Sequence, residues 1–170
     1  FHATVGWDWI PTVRGREVGI WNDVRFTNAK DVVLDNPMVQ SRISQPDTLA
    51  TMTFSVDVTN LSDGPVRGTV AGSMDSLMFS KAVALMPGET RTVTISPSDC
   101  PELMNRQVAL WWPNGYGEQA LHDATFTFVA EGDTLDTANP DLCWKAGIRE
   151  ITWSGERTSL NLYVNGHRFL

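Results

Sequence analysis

Strict alternation of apolar and polar residues constrains this chain more than any other feature. In Thr51-Met52-Thr53-Phe54-Ser55-Val56-Asp57-Val58-Thr59, residues Met52, Phe54, Val56 and Val58 fall on one side and polar side chains on the other. A period of two marks a strand with one buried face, because successive Cβ atoms point to opposite sides of a sheet. The pattern returns in Leu77–Leu85 and Thr90–Ile95, and again near 121–130 and 143–153. Turn chemistry separates the runs. Asn60-Leu61-Ser62-Asp63-Gly64-Pro65 holds an Asp-Gly pair able to take positive φ, and Met86-Pro87-Gly88-Glu89 has type II character. Val66–Gly72 reads as a strand whose two glycines fit a bend or a bulge. Only Asp99–Asn105 suits a short helical turn. The expectation is an all-β, antiparallel sandwich of about seven strands. Met52, Phe54, Val56, Val93, Ile95, Leu110, Phe126 and Phe128 should lie between its sheets.

The chain's 170 residues suffice for one domain with a real core and some extra. The net charge of −7 and the lack of a basic stripe argue against a nucleic-acid partner. No apolar run approaches the ~18 residues of a membrane span, and no secretion signal is visible. The chain opens at Phe1, inside a motif and without an initiator Met, and reads as a piece of a longer protein. Cys100 and Cys143 are too few for a disulfide framework, although both fall near strand ends, which leaves a single bridge open. No Cys/His set has metal-ligand spacing, so no metal or cofactor is expected. His2, His122 and His167 stand far apart and read as ordinary surface histidines.

The N-terminal stretch differs from the rest. Gly6-Trp7-Asp8-Trp9-Ile10-Pro11 and Gly19-Ile20-Trp21-Asn22-Asp23-Val24 crowd three tryptophans, with Asp8 between two of them, into a segment too short for its own core. The flat apolar face of an indole suits the face of a sugar ring, and an intervening aspartate is placed to accept hydrogen bonds from hydroxyls. The segment resembles the end of the sugar-binding domain of glycoside hydrolase family 2, in its β-mannosidase and exo-β-glucosaminidase-like branch. Three later patches fit the same family in the same order. Leu110-Trp111-Trp112-Pro113-Asn114-Gly115-Tyr116-Gly117-Glu118-Gln119-Ala120-Leu121 is similar to the Leu-Trp-Trp-Pro-x-Gly-x-Gly-x-Gln-x-Leu signature of its immunoglobulin-like domain. Ala146-Gly147-Ile148-Arg149-Glu150-Ile151 is similar to a Phe-Gly-Ile-Arg-Glu strand, with Ala146 in place of the aromatic. Leu162-Tyr163-Val164-Asn165-Gly166-His167-Arg168-Phe169 resembles the hairpin that leads into the catalytic barrel.

The resemblance implies three parts. Residues 1–26 would be the last strands of a sugar-binding jelly roll, 27–153 an immunoglobulin-like sandwich, and 154–170 the lead-in to a (β/α)₈ barrel that lies outside the chain. Family members work by a retaining mechanism with two barrel glutamates, one of them in an Asn-Glu pair. No Asn-Glu dipeptide occurs here, and no catalytic residue is expected in this chain. Asp8 is the principal candidate for substrate contact, with Trp9 and Trp7 beside it. The competing reading makes Asp8 a turn cap and both tryptophans core. Of Trp111 and Trp112, one ring should enter the core and the other cover a sheet end. Arg149 should fix the sandwich to the barrel through a carboxylate or carbonyl groups. The implied function is a non-catalytic sandwich of a β-glycosidase, partnered by a carbohydrate and by other domains of the same polypeptide. A free-standing carbohydrate-binding module and an immunoglobulin-like surface or adhesion domain are the alternatives. A periplasmic or secreted bacterial setting fits the resemblance best.

Overall fold

The computed structural model describes residues 20, 24, 31–44, 48–131, 142–155 and 160–169. Seven strands build the sandwich: β1 (Val32–Ser44), β2 (Leu49–Asn60), β3 (Val66–Met74), β4 (Leu77–Leu85), β5 (Thr90–Ile95), β6 (His122–Ala130) and β7 (Leu142–Ala146). One sheet runs β1-β2-β5 and the other β4-β3-β6-β7. Every pairing is antiparallel. A constant-type immunoglobulin domain has its fourth strand on the sheet of the first, second and fifth. Here β4 stays beside β3 along its whole length. The cause is local: only Asp75 and Ser76 join the two strands, and Asp75 takes φ 51°, so they close as a tight hairpin.

All eight residues expected between the sheets are buried, with Phe54, Phe126 and Ile95 fully so. A ladder of rings crosses the core. Phe54 of β2 stacks on Phe79 of β4 with centroids 4.2 Å apart. Phe79 meets Phe126 edge-on at 5.9 Å, and Phe126 stacks on Trp144 at 5.3 Å. Such ring pairs add to the area buried. The glycines of β3 serve this ladder. The expected bend or bulge is absent, since β3 keeps an unbroken register with both neighbours. Instead, a Cβ at Gly72 would run into the Phe79 ring, and one at Gly68 would sit 2.5 Å from Phe128.

The sandwich's register break lies in β1, between Asp35 and Met38. Asn36 adopts φ 51° there, and its Nδ2 donates to Asp57 Oδ2 at 2.9 Å. Pro37 follows on this edge strand, where a missing N–H costs no ladder bond. A bulge and a proline also blunt the edge against pairing with another chain.

The Met86–Glu89 turn is as expected, with Gly88 at φ 71° and the Glu89 amide donating to the Met86 carbonyl at 3.1 Å. The Asn60–Pro65 turn is organised differently. Neither Asp63 nor Gly64 takes positive φ. Buried Asn60 holds the loop: its Nδ2 donates to the Gly64 carbonyl at 2.8 Å, and its Oδ1 accepts from the amide and hydroxyl of Ser62 at 2.9 and 2.7 Å. A single 3₁₀ turn, Pro101–Leu103, follows β5 within the span suited to a helical turn. Both cysteines are free thiols, Cys100 buried and Cys143 exposed, so the bridge left open by their positions is not formed. Among the described residues, no helix is long and apolar enough to cross a membrane.

The run read as one strand over 143–153 is two strands in different sheets. β7 ends at Ala146, and β8 (Ile151–Ser154) joins β9 (Asn161–Val164) and β10 (His167–Phe169) in a separate sheet, ordered β10-β9-β8. Residues 147–150 cross between the sheets because their backbone groups are committed elsewhere. The Ile148 carbonyl accepts from the Trp111 amide at 2.8 Å, and the Arg149 carbonyl accepts from Ser41 Oγ at 2.7 Å.

Candidate functional site

The predicted substrate contacts Asp8, Trp9 and Trp7 lie outside the described residues, as does His2. Of the Gly6–Val24 segment, Ile20 and Val24 are described, and both are exposed. The three later motifs are described, and the fold brings them together at the end of the sandwich where the small sheet begins.

Asn165 is the centre of this junction. It occupies the first position of the β9–β10 turn at φ 49°, followed by Gly166 at φ 78°. Asn-Gly is the pair that tolerates two successive positive φ values in a type I′ hairpin. The same residue is fully buried. Its Nδ2 donates to the Trp111 carbonyl at 3.0 Å, and its Oδ1 accepts from the Glu150 amide at 2.9 Å. Its own amide donates to the Glu150 carbonyl at 2.8 Å. One side chain thus joins the tryptophan motif, the Gly147–Glu150 crossing and the hairpin. Glu150 extends the link to β1: Oε2 accepts from the Ile43 amide at 2.8 Å, and Oε1 pairs with Arg42 Nη1 at 2.9 Å. The Arg42 pair is exposed and contributes little. The bond from Ile43 satisfies a backbone donor on the sheet edge.

The aromatic residues reinforce the junction. Trp112 packs against the core, and Trp111 is half-buried beside it. Both rings are half-buried, so neither enters the core as expected; Trp112 packs against it from the rim. The Arg149 guanidinium lies 4.6 Å from the Trp111 ring centre, in a cation–π geometry. His167 of β10 meets Trp112 edge-on at 5.2 Å, and Phe169 meets Tyr116 at 5.0 Å. The Trp112–Gln119 loop is closed on itself: the Trp112 amide donates to Glu118, and Gln119 Nε2 donates to the Trp112 and Gly117 carbonyls.

The one buried titratable residue that sequence reasoning misplaced is His122. It was expected on the surface, yet it is buried at the start of β6. Nδ1 lies 2.6 Å from Asp75 Oδ2, and Nε2 lies 2.8 Å from the Ala109 carbonyl oxygen. Burial opposes its charge, but the bonds to Ala109 and Asp75 outweigh that and hold its pKa above the ordinary 6.5. Both nitrogens face acceptors, so the imidazolium form donates from both. Neither nitrogen is free to act as a general base.

The described acids also serve structure. The Thr92 hydroxyl and the Asn36 amide hold the Asp57 carboxyl below its usual range. Lys81 and the Ser96 amide do the same for Asp99. Among the described residues, no group of three or more His, Cys, Asp or Glu could hold a metal ion. A groove of 630 Å³ runs between the edges of β1 and β7, bordered by Met38, Arg42, Trp144, Lys145 and Glu150. Of its charged groups, Arg42 pairs with Glu150 and Lys145 with Asp123, while Arg149 lies over the Trp111 ring.

Fold and junction together define a class: an all-β, immunoglobulin-like sandwich that carries a small sheet joined to one end through Asn165. The model of glycosyl hydrolases family 2 matches residues 32–149, and the chain belongs to that family. An exo-beta-D-glucosaminidase of Streptomyces avermitilis is 32% identical over 172 residues, covering 99% of this chain and 19% of that protein. The exo-beta-D-glucosaminidase of Amycolatopsis orientalis is 30% identical over 149 residues, covering 87% of this chain and 14% of its own length. The crystal structure of the Amycolatopsis orientalis exo-chitosanase superposes with a TM-score of 0.66 at 26% identity, over 84% of this chain and 16% of that one. The chain therefore spans less than a fifth of the curated relatives named here.

Proposed function

We propose that this chain is the non-catalytic sandwich of a retaining family 2 β-glycosidase, and that it sets the geometry between a sugar-binding domain and a catalytic domain of the same polypeptide. The observation that supports this is the Asn165 junction. A buried, multiply bonded side chain fixes the direction of the β9–β10 hairpin relative to the sandwich. A spacer that must present a neighbouring domain in one orientation needs such a rigid exit. Residues 1–26 would complete the sugar-binding domain, and residues 154–170 would lead into the catalytic barrel. In the intact enzyme Asp8 would accept hydrogen bonds from hydroxyls of the terminal sugar, with Trp9 and Trp7 forming apolar walls. Both relatives named above are exo-beta-D-glucosaminidases, which makes a terminal β-glucosaminide the first substrate to test and a β-mannoside the second.

The test is turnover of nitrophenyl β-glycosides by the 170-residue chain and by the longer polypeptide containing it. The longer protein should hydrolyse at least one of them, and the chain alone should hydrolyse none. Turnover by the chain alone, lost on substitution of one of its own residues, would overturn the reading.

A further inference from the structure

The small sheet is two-faced. The pairing places Ile151, Trp153, Leu162, Val164, His167 and Phe169 on one face, since Ile151 and His167 both oppose Val164, and Trp153 and Phe169 both oppose Leu162. Five of these six are apolar. The other face carries Thr152, Ser154, Asn161, Tyr163 and Arg168, with Ser154 Oγ bonded to the Tyr163 hydroxyl at 3.3 Å. The β10 side of the apolar face rests on the tryptophan loop, through His167 on Trp112 and Phe169 on Tyr116. The β8 side does not. Trp153 is 71% exposed and Ile151 49%, and Leu160, just before β9, is 65% exposed. Single exposed apolar residues are ordinary, but an indole beside an isoleucine on an edge strand is a contiguous patch on a template for association.

We infer that Ile151 and Trp153 are the seat of the domain that follows Phe169 in the longer polypeptide, which meets them with an apolar ridge of its own. The inference rests on the reading of the chain as one domain of such a polypeptide. Strand order and register single out this occupant. β8 and β10 both flank β9, and Phe169 and Trp153 oppose the same residue, Leu162. Neighbouring strands lie about 4.8 Å apart, so the chain leaves β10 level with Trp153 and roughly 10 Å from β8. A domain emerging there reaches the patch without a linker. The relatives have room for one, because this chain accounts for only 14–19% of their length. The sheet is also held still by Asn165, so the patch is presented in one orientation.

Acrylamide quenching of tryptophan fluorescence tests this, with Trp153→Phe used to isolate the one indole by difference. In the 170-residue chain the difference spectrum should be red-shifted and quenchable. In the longer polypeptide it should be blue-shifted, and the quenchable component should be lost. Trp153→Asp should lower the melting temperature of the longer polypeptide and leave that of the 170-residue chain in place. An indole equally quenchable in both proteins would overturn the inference. So would protection that appears in the 170-residue chain as its concentration rises, which would make a second copy the occupant. Glycosidase activity is measured on the same longer protein. An inactive protein with a protected Trp153 would sink the functional reading alone, and an active one with an exposed Trp153 would sink this inference alone.

Discussion

The Nδ1 of His122 lies 2.6 Å from Oδ2 of Asp75, while its Nε2 lies 2.8 Å from the Ala109 carbonyl. Through that ring the β3–β4 turn, the start of β6 and the segment leading to the tryptophans are held together. The clamp is strongest when the ring carries both protons.

This gives a stability that depends on pH with a definite sign. The folded-state pKa of His122 is raised above 6.5, so folding takes up a proton near neutrality. The stabilisation is fully present below pH ~6.5 and is lost as pH rises through the folded-state pKa. Melting temperature measured in steps from mildly acidic to mildly alkaline pH should fall across that window. His122→Gln should flatten the fall. A wild-type curve that rises through the same window would contradict the clamp.

Phe54 stacks on Phe79 at 4.2 Å and is fully buried. Phe54→Ala should destabilise the sandwich by about 3–5 kcal/mol, since it removes a large side chain and leaves a cavity between rigid sheets. Urea denaturation followed by circular dichroism checks the magnitude.

At Gly72 the reverse change is expected to hurt. An added Cβ would meet the Phe79 ring, which is already wedged between Phe54 and Phe126. Gly72→Ala should cost roughly 1–3 kcal/mol by overpacking. In a Phe79→Leu background much of that cost should disappear, and a double-mutant cycle reads the difference.

Asn165→Ala would leave the Trp111 carbonyl and the Glu150 amide without their partner. Each buried group left unsatisfied costs about 1–3 kcal/mol. Amide exchange should quicken across residues 147–169, while the amides of β2 and β3 keep their protection. Uniform loss of protection would mean that the junction supports the whole sandwich.

For the N-terminal motif we expect Asp8→Ala, in the longer polypeptide, to lower kcat/KM by at least about tenfold, the equivalent of 1.4 kcal/mol. A carboxylate facing a cleft does little for the core, so the melting temperature should hold. Unchanged kinetics, or a large fall in melting temperature, would return Asp8 to a turn-capping role.

Which parts were legible follows from the range of the forces involved. The burial of Met52, Phe54, Val56, Val93, Ile95, Leu110, Phe126 and Phe128 could be read because alternation or a local apolar motif reports the inward face. The Met86–Glu89 turn could be read because its chemistry lies within four residues. Gly68 and Gly72 were misread as a bend or bulge, since what they accommodate are rings of Phe128 and Phe79 from neighbouring strands. His122 was misplaced for the same reason: Asp75 is 47 residues away, and its second acceptor is a backbone carbonyl that no side-chain pattern reveals. The break after Ala146 was hidden because Gly147–Glu150 bonds to Trp111, Ser41 and Asn165, all remote in sequence. The hairpin at Asn165-Gly166 was legible only through the family resemblance of Leu162–Phe169, and the buried bonds of Asn165 to Trp111 and Glu150 had no local sign.

The Asn165 junction also makes the exit of the chain a report on the sandwich. Its acceptor on Trp111 lies 54 residues upstream, and Trp111 is itself positioned by a bond to Ile148. The bonds that aim the last hairpin exist only when the tryptophan motif and the Gly147–Glu150 crossing stand in their folded places. A defect in the sandwich is thereby transmitted to the direction in which the chain leaves β10.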